Sequence, residues 1–175
     1  MSEVLTKLQT RRSIRKFKSD MISKDILDEI ITAGTYAASG RNMQSPVIVA
    51  VTNQEIRDKL SKANAEVMGN PDTDPFYGAP VVLIVLANKE YGTYVYDGSL
   101  VMGNLMLAAH ELGIGSCWIH RAKEIFEQPQ WQEWLKSLGV DGEYEGIGNC
   151  VLGYVDGEYP VAPLRKENRV FYVGN

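Results

Sequence analysis

Residues 94–112 constrain the fold more than any other part of this chain. Leu100, Val101, Met102, Leu105, Met106, Leu107, Ala108 and Ala109 recur at helical spacing and leave almost no polar face. A helix that is apolar all round has to be covered on all sides. The chain has 175 residues, enough for one domain with a substantial core. In so small a domain, one neighbour of this helix is expected to come from a second subunit. Gly113 stops the helix.

The remaining segments arrange themselves around it. Short β-branched or apolar runs at 46–51, 80–86, 114–119 and 147–154 read as four buried strands. Between them lie helical patterns: a short opening helix over 3–9, and one with Ser23 as N-cap running to about Ala38. Asn53 caps another that carries Ile56, Leu60 and Ala63 along one side, and short pieces follow at 123–126 and 130–138. Residues 70–74 are rich in Pro and Asp, and with Phe76 and Tyr77 they read as a mobile surface loop. The functional alternative is a lid, with Phe76 or Tyr77 selecting flat substrates. The chain closes on Val170-Phe171-Tyr172-Val173, a strand with no partner nearby in sequence. An arm over 160–175, exchanged between subunits, would give it one.

Charge and composition narrow the function. The net charge is −4 and the sequence pI about 5.3, which disfavours general nucleic-acid binding, since that requires a strongly basic face. Cys117 and Cys150 both sit in apolar contexts, and no leader precedes the first helix, so a reducing cytoplasm is expected rather than a disulfide framework. The longest apolar runs are too short to span a bilayer. Two Cys and two His make a structural metal site improbable, and in a strand Cys117 and His120 would face opposite sides. His110 reads as a satisfied core histidine. No glycine-rich dinucleotide fingerprint follows a strand, and no Ser/His/Asp hydrolase arrangement is evident.

Against this acidic background stands a basic cluster, Arg11-Arg12-Ser13-Ile14-Arg15. Guanidinium forks match phosphate oxygens; equally, arginines at the end of a helix can simply complement its dipole. One helix later comes Ser39-Gly40-Arg41-Asn42-Met43-Gln44, whose amides can both donate and accept. A phosphate grip followed by an amide-rich loop suits a nucleotide-like cofactor.

The ordered set resembles the nitroreductase family of flavin enzymes. Ser45-Pro46 closes the loop, and Gly78-Ala79-Pro80 precedes the second strand. Asp97-Gly98-Ser99 opens the long helix, and the stretch from Leu112 through Cys117-Trp118-Ile119 leaves it. Gly153-Tyr154 leads to the tail with Arg165 and Lys166. The resemblance implies an α+β fold, a nitroreductase-like mixed β-sheet flanked by helices, in an intertwined homodimer of one FMN-binding domain over 1–175 with C-terminal arm exchange. It implies FMN as cofactor and NADH or NADPH as electron donor. Arg11, Ser13 and Arg15 match the grip on the FMN phosphate and ribityl chain, and Arg12 a position close to the flavin. Arg165 and Lys166 match the basic residues that complete the phosphate site. Ser39, Asn42 and Gln44 match a loop reaching the flavin, partly from the other subunit. Trp118, Ile119 and His120 match the stretch passing the reactive ring edge, where the backbone makes the bonds. His120 and Arg121 stand where many members carry a small or acidic residue. The family scheme needs no catalytic side chain. The acceptor would be a nitroaromatic, quinone or similar flat small molecule reduced by a ping-pong mechanism. A flavin carrier or sensor on the same fold, and a flavin-free module binding an acidic partner, are the other readings.

Overall fold

A computed structural model describes residues 2–174; Met1 and Asn175, the ends of the expected domain, lie outside the described residues. Eleven segments follow one another as α1 (Glu3–Thr10), α2 (Lys24–Thr35), a 3-10 turn (Gly40–Asn42), β1 (Pro46–Val51), α3 (Gln54–Met68), β2 (Val81–Asn88), α4 (Tyr94–Glu111), β3 (Gly115–Ile119), α5 (Ala122–Phe126), α6 (Pro129–Ser137) and β4 (Tyr144–Gly153). The strands form one sheet in the order β1-β2-β4-β3. Within these four strands every neighbouring pair is antiparallel, and the parallel component of the expected mixed sheet is the single bridge between Ser13 and Ser116.

Both faces of the sheet are covered, which explains the unbroken apolar run of β2. Val82, Ile84 and Leu86 point into one core with Leu60 of α3, Ile125 and Phe126 of α5, and Trp131 and Leu135 of α6. Val81, Leu83, Val85 and Ala87 point into the other with Leu27 and Ile30 of α2 and Val101, Met102 and Leu105 of α4. Strand alternation puts Cys117 in the first core and Cys150 in the second. The two thiols are therefore free on opposite faces, and burial pushes Cys150 up to about 12.

One element ends earlier than the sequence expectation, and two are left without the partner they were expected to need. The second helix ends at Thr35, because the Tyr36 and Ala37 N–H groups turn back to Ala33 and Gly34. α4 is covered along one face only: Val101, Met102, Leu105 and Met106 are buried, whereas Tyr96 and Leu100 are exposed. Among the described residues the tail carries no strand, and Val161, Leu164 and Val170 to Val173 all face solvent. No helix among the described residues is long and apolar enough to cross a membrane.

Candidate active site

The chain leaves α1 along the free edge of β3. Ile14 N–H donates to Ser116 O at 2.9 Å, which lays the basic cluster against the strand. Arg12 turns its guanidinium back onto the carbonyls of Gln9 and Arg11, so it closes the helix end. Arg11 Nη1 and Arg12 Nε are buried with no hydrogen-bond partner among the described residues. A buried cationic donor without an acceptor is costly, and that is the environment an anion would complete. Arg15 faces solvent and borders a cavity of about 420 Å³.

The far wall of that cavity is the end of β3, Cys117 through Arg121. β3 stops at Ile119, so strand alternation no longer governs His120, and Cys117 and His120 border the same cavity rather than facing apart. Burial raises the Cys117 thiol, against the opposing influence of Arg15 and a hydrogen bond with Ser13, so the wall presents a neutral thiol at pH 7. Three of the expected cofactor residues, Trp118, Ile119 and His120, thus share a cavity with Arg15. Trp118, His120 and Arg121 also border a smaller adjoining cavity of about 260 Å³, whose other wall comes from α4, α5 and β4.

The turn after β3 is held by long-range contacts. Asn64, fully buried on α3, donates from Nδ2 to His120 O at 2.8 Å and accepts from Arg121 Nε at 2.9 Å. Arg121 has φ 72° and ψ 11°, the left-handed region. β4 makes room for the turn: a Cβ on Gly146 would lie 2.4 Å from the Ala122 carbonyl carbon and oxygen.

The loop of Ser39, Asn42 and Gln44 is also built to an unusual shape. Arg41, Asn42 and Gln44 all have positive φ, near 50°, a conformation that costs free energy and persists only where surroundings impose it. Ser39 Oγ accepts from Gln44 N–H at 3.0 Å, and Asn42 Oδ1 accepts from Gln44 Nε2 at 3.1 Å. Asp97, buried at the start of α4, accepts from Gly40 N–H and from Thr93 Oγ1, each at 2.9 Å. A Cβ on Gly40 would lie 2.3 Å from Thr93 Oγ1, so glycine is required for this approach. Within one chain Ser39 and Gln44 border a different cavity, of about 360 Å³. Arg165 donates to Pro163 O, and Lys166 makes no ion pair among the described residues. Neither joins the N-terminal arginines in the single chain.

The segment over 70–78, expected as a mobile surface loop, is latched to the body by Asp74. Asp74 accepts from Ser61 Oγ, from Phe76 and Gly78 N–H, and from Arg57, whose side chain is buried. Burial alone would raise the Asp74 carboxyl, but the hydrogen bonds from Arg57, Ser61 and Gly78 outweigh it and hold it below its ordinary value. Phe76 is fully buried beneath the Arg57 guanidinium, so it is core rather than lid. Tyr77 does border the cavity. Asn64, Asp97 and the Asp74–Arg57 pair went unmarked in the sequence because each acts on residues far along the chain, and no local spacing encodes that.

A four-stranded antiparallel sheet between two helical layers, with arginines laid on a sheet edge beside a cavity, can be compared with known proteins. The Nitroreductase family model matches residues 8–154. The chain belongs to the nitroreductase family. Among solved structures, a Bacteroides fragilis nitroreductase with bound FMN superposes with a TM-score of 0.90 at 29% identity, over 99% of this chain and 100% of that one. A Desulfitobacterium hafniense nitroreductase with bound FMN gives a TM-score of 0.85 at 26% identity, over 99% and 100%. A Methanothermobacter thermautotrophicus protein, provisionally named an NADH dehydrogenase/NAD(P)H nitroreductase, is 31% identical over 125 residues, which cover 66% of this chain and 60% of that protein. The chain therefore aligns with well under the full length of that relative.

Proposed function

We propose that this chain is an FMN-dependent NAD(P)H oxidoreductase that reduces a nitroaromatic, quinone or similarly flat acceptor. The observation that carries the reading is the buried Arg11 Nη1, which has no partner among the described residues, in the same basic cluster as Arg15, which borders the cavity walled by Trp118 to Arg121. The residues present fit the cofactor: cationic donors without an acceptor suit a phosphate, and a largely apolar cavity suits a planar ring.

In this reading Arg11, Ser13 and Arg15 hold the phosphate and ribityl end, with Arg12 fixing the helix end beside them. Arg165 and Lys166 of the arm close the same end. Trp118, Ile119 and His120 line the ring edge with their backbone, and Ser39, Asn42 and Gln44 reach the ring from the partner subunit. When bound, FMN supplies the two-electron relay by which nicotinamide nucleotide and acceptor react in turn at one site. The chain's own part is to bind, orient and exclude water, and to offset negative charge with Arg15. No side chain is required as acid or base.

The unit is one FMN-binding domain over 1–175 working as a homodimer with exchanged arms. Exposed Tyr96 and Leu100 on α4, Val4, Leu5 and Leu8 on α1, and the apolar tail support this, because so much apolar surface calls for a partner. Buried free thiols support a cytoplasmic setting.

The test is the visible spectrum of the purified protein, incubated with FMN and then treated anaerobically with NADH or NADPH. A flavin spectrum that bleaches supports the reading. A flavin that stays oxidised indicates a carrier or sensor, and a protein that takes up no FMN removes the flavin assignment.

A further inference from the structure

We propose that Arg121 sets the acceptor specificity of this site: a fixed guanidinium that selects acceptors carrying a carboxylate or similar anionic group. The inference rests on the flavin-enzyme reading above. Three features converge on this residue. Its backbone occupies the left-handed region at φ 72°, which a non-glycine side chain adopts only when surroundings impose it. Asn64's single buried amide grips both the His120 carbonyl and Arg121 Nε. Arg121 also stands at the boundary of the two adjoining cavities beside Trp118.

Asn64 uses only Nε. The terminal Nη1 and Nη2 groups make no hydrogen bond or ion pair among the described residues. They form the edge that can meet a carboxylate with two parallel donors, and the grip on Nε removes much of the rotational freedom such a contact would otherwise cost.

The surrounding charges leave this edge available. In the larger cavity the one carboxylate is Asp74, which is committed to Arg57, Ser61 and two backbone N–H groups. In the smaller cavity Glu145 is paired with Lys123 at 3.0 Å. Glu124 also borders that cavity; it is exposed and makes no ion pair among the described residues. Arg15, assigned to the cofactor, adds positive field. An acceptor bearing a negative group is therefore favoured over its neutral counterpart, whereas a site built only for flat apolar acceptors would have no use for a strained, clamped cation.

The test compares the FMN-loaded protein with its Arg121→Gln and Arg121→Lys variants. Binding of benzoate and of benzamide is followed by perturbation of the flavin spectrum, and KM is measured for 4-nitrobenzoate and 4-nitrobenzamide. The expected result is that Arg121→Gln weakens benzoate binding and raises KM for 4-nitrobenzoate about tenfold. The two amides should shift less than about twofold, and Arg121→Lys should restore part of the loss. Equal changes for acid and amide, or none for either, would overturn the proposal while leaving the flavin reading intact. Loss of FMN from Arg121→Gln would also overturn it and make Arg121 a cofactor ligand. Failure of the unaltered protein to take up FMN would overturn both.

Discussion

The Tyr159 hydroxyl lies 2.9 Å from His110 Nδ1, and the two rings stack with centroids 5.5 Å apart. The same hydroxyl accepts from Arg12 N–H at 3.1 Å, and the other ring nitrogen of His110 meets Thr10 Oγ1 at 2.9 Å. The root of the C-terminal arm is thereby tied to the end of α1, where the basic cluster begins. Tyr159→Phe keeps the ring but strands two polar partners. The expected cost is about 1 kcal/mol, which for a domain of this size lowers Tm by about 3 °C. Calorimetry checks it, and an unchanged Tm would mean that the hydroxyl does not hold the arm root.

His110 also gives stability a pH dependence. Burial, with help from Lys7, Arg11 and Arg12 and against Glu111, lowers its pKa from 6.5. The unfolded chain therefore takes up the proton first. The contribution of neutral His110 is fully present above about pH 6.5 and falls as pH drops below that value, levelling off below the folded pKa. Between pH 7.5 and 5.5 the unaltered protein should lose more Tm than His110→Asn does. Parallel curves for the two proteins would exclude His110 as the source.

Asp74 is the keystone of the 70–78 turn. Asp74→Ala leaves the buried Arg57 with Asp58 as its remaining acidic partner and frees two backbone N–H groups. The expected loss is about 2 kcal/mol, and Tyr77 should become mobile. Because the folded Asp74 pKa lies below 3.8, its contribution is present above about pH 3.8 and disappears as pH falls through the folded value. Denaturant titrations at pH 7 and pH 3 measure both effects. The variant should lose less on acidification than the unaltered protein.

For the cofactor end, Arg11→Ala removes the guanidinium whose buried Nη1 has no partner among the described residues. FMN retention should fall at least about tenfold, the scale of one charge-assisted contact to phosphate. Unchanged flavin content after gel filtration would count against the phosphate assignment.

What the sequence disclosed and what it withheld divide by range. Periodicity marked every helix and strand, because an apolar stripe or a β-branched run is local information; the helix over 94–112 even announced an uncovered face, now seen at Tyr96 and Leu100. The basic cluster and the end of β3 were legible as motif, and Arg15 and Trp118 to His120 do share a cavity. Pro and Asp mark 70–77 as a surface loop without revealing that Arg57, from α3, clamps it. Likewise the outward-facing tail and the loop at Ser39 do not reach the arginine cluster within one chain, and completing that site from a second copy is a proposal that no local pattern could settle.

Asn149 offers a last and sharper test of the core. It sits on β4 opposite Ile84 of β2 and Ile119 of β3, is fully buried, and neither its Oδ1 nor its Nδ2 has a partner among the described residues. An unpaired buried amide costs roughly 1–3 kcal/mol, whereas an apolar side chain of similar shape in the same place restores that cost. Its neighbours Ile84, Ile119 and Val151 form an apolar wall on the α3 side of the sheet. Asn149→Leu should therefore raise stability by about 1 kcal/mol and Tm by about 3 °C. A drop of similar size would refute the expectation, and a drop in the smaller Asn149→Val as well would point to an amide satisfied by a buried water or polar ligand rather than to crowding by the larger leucine.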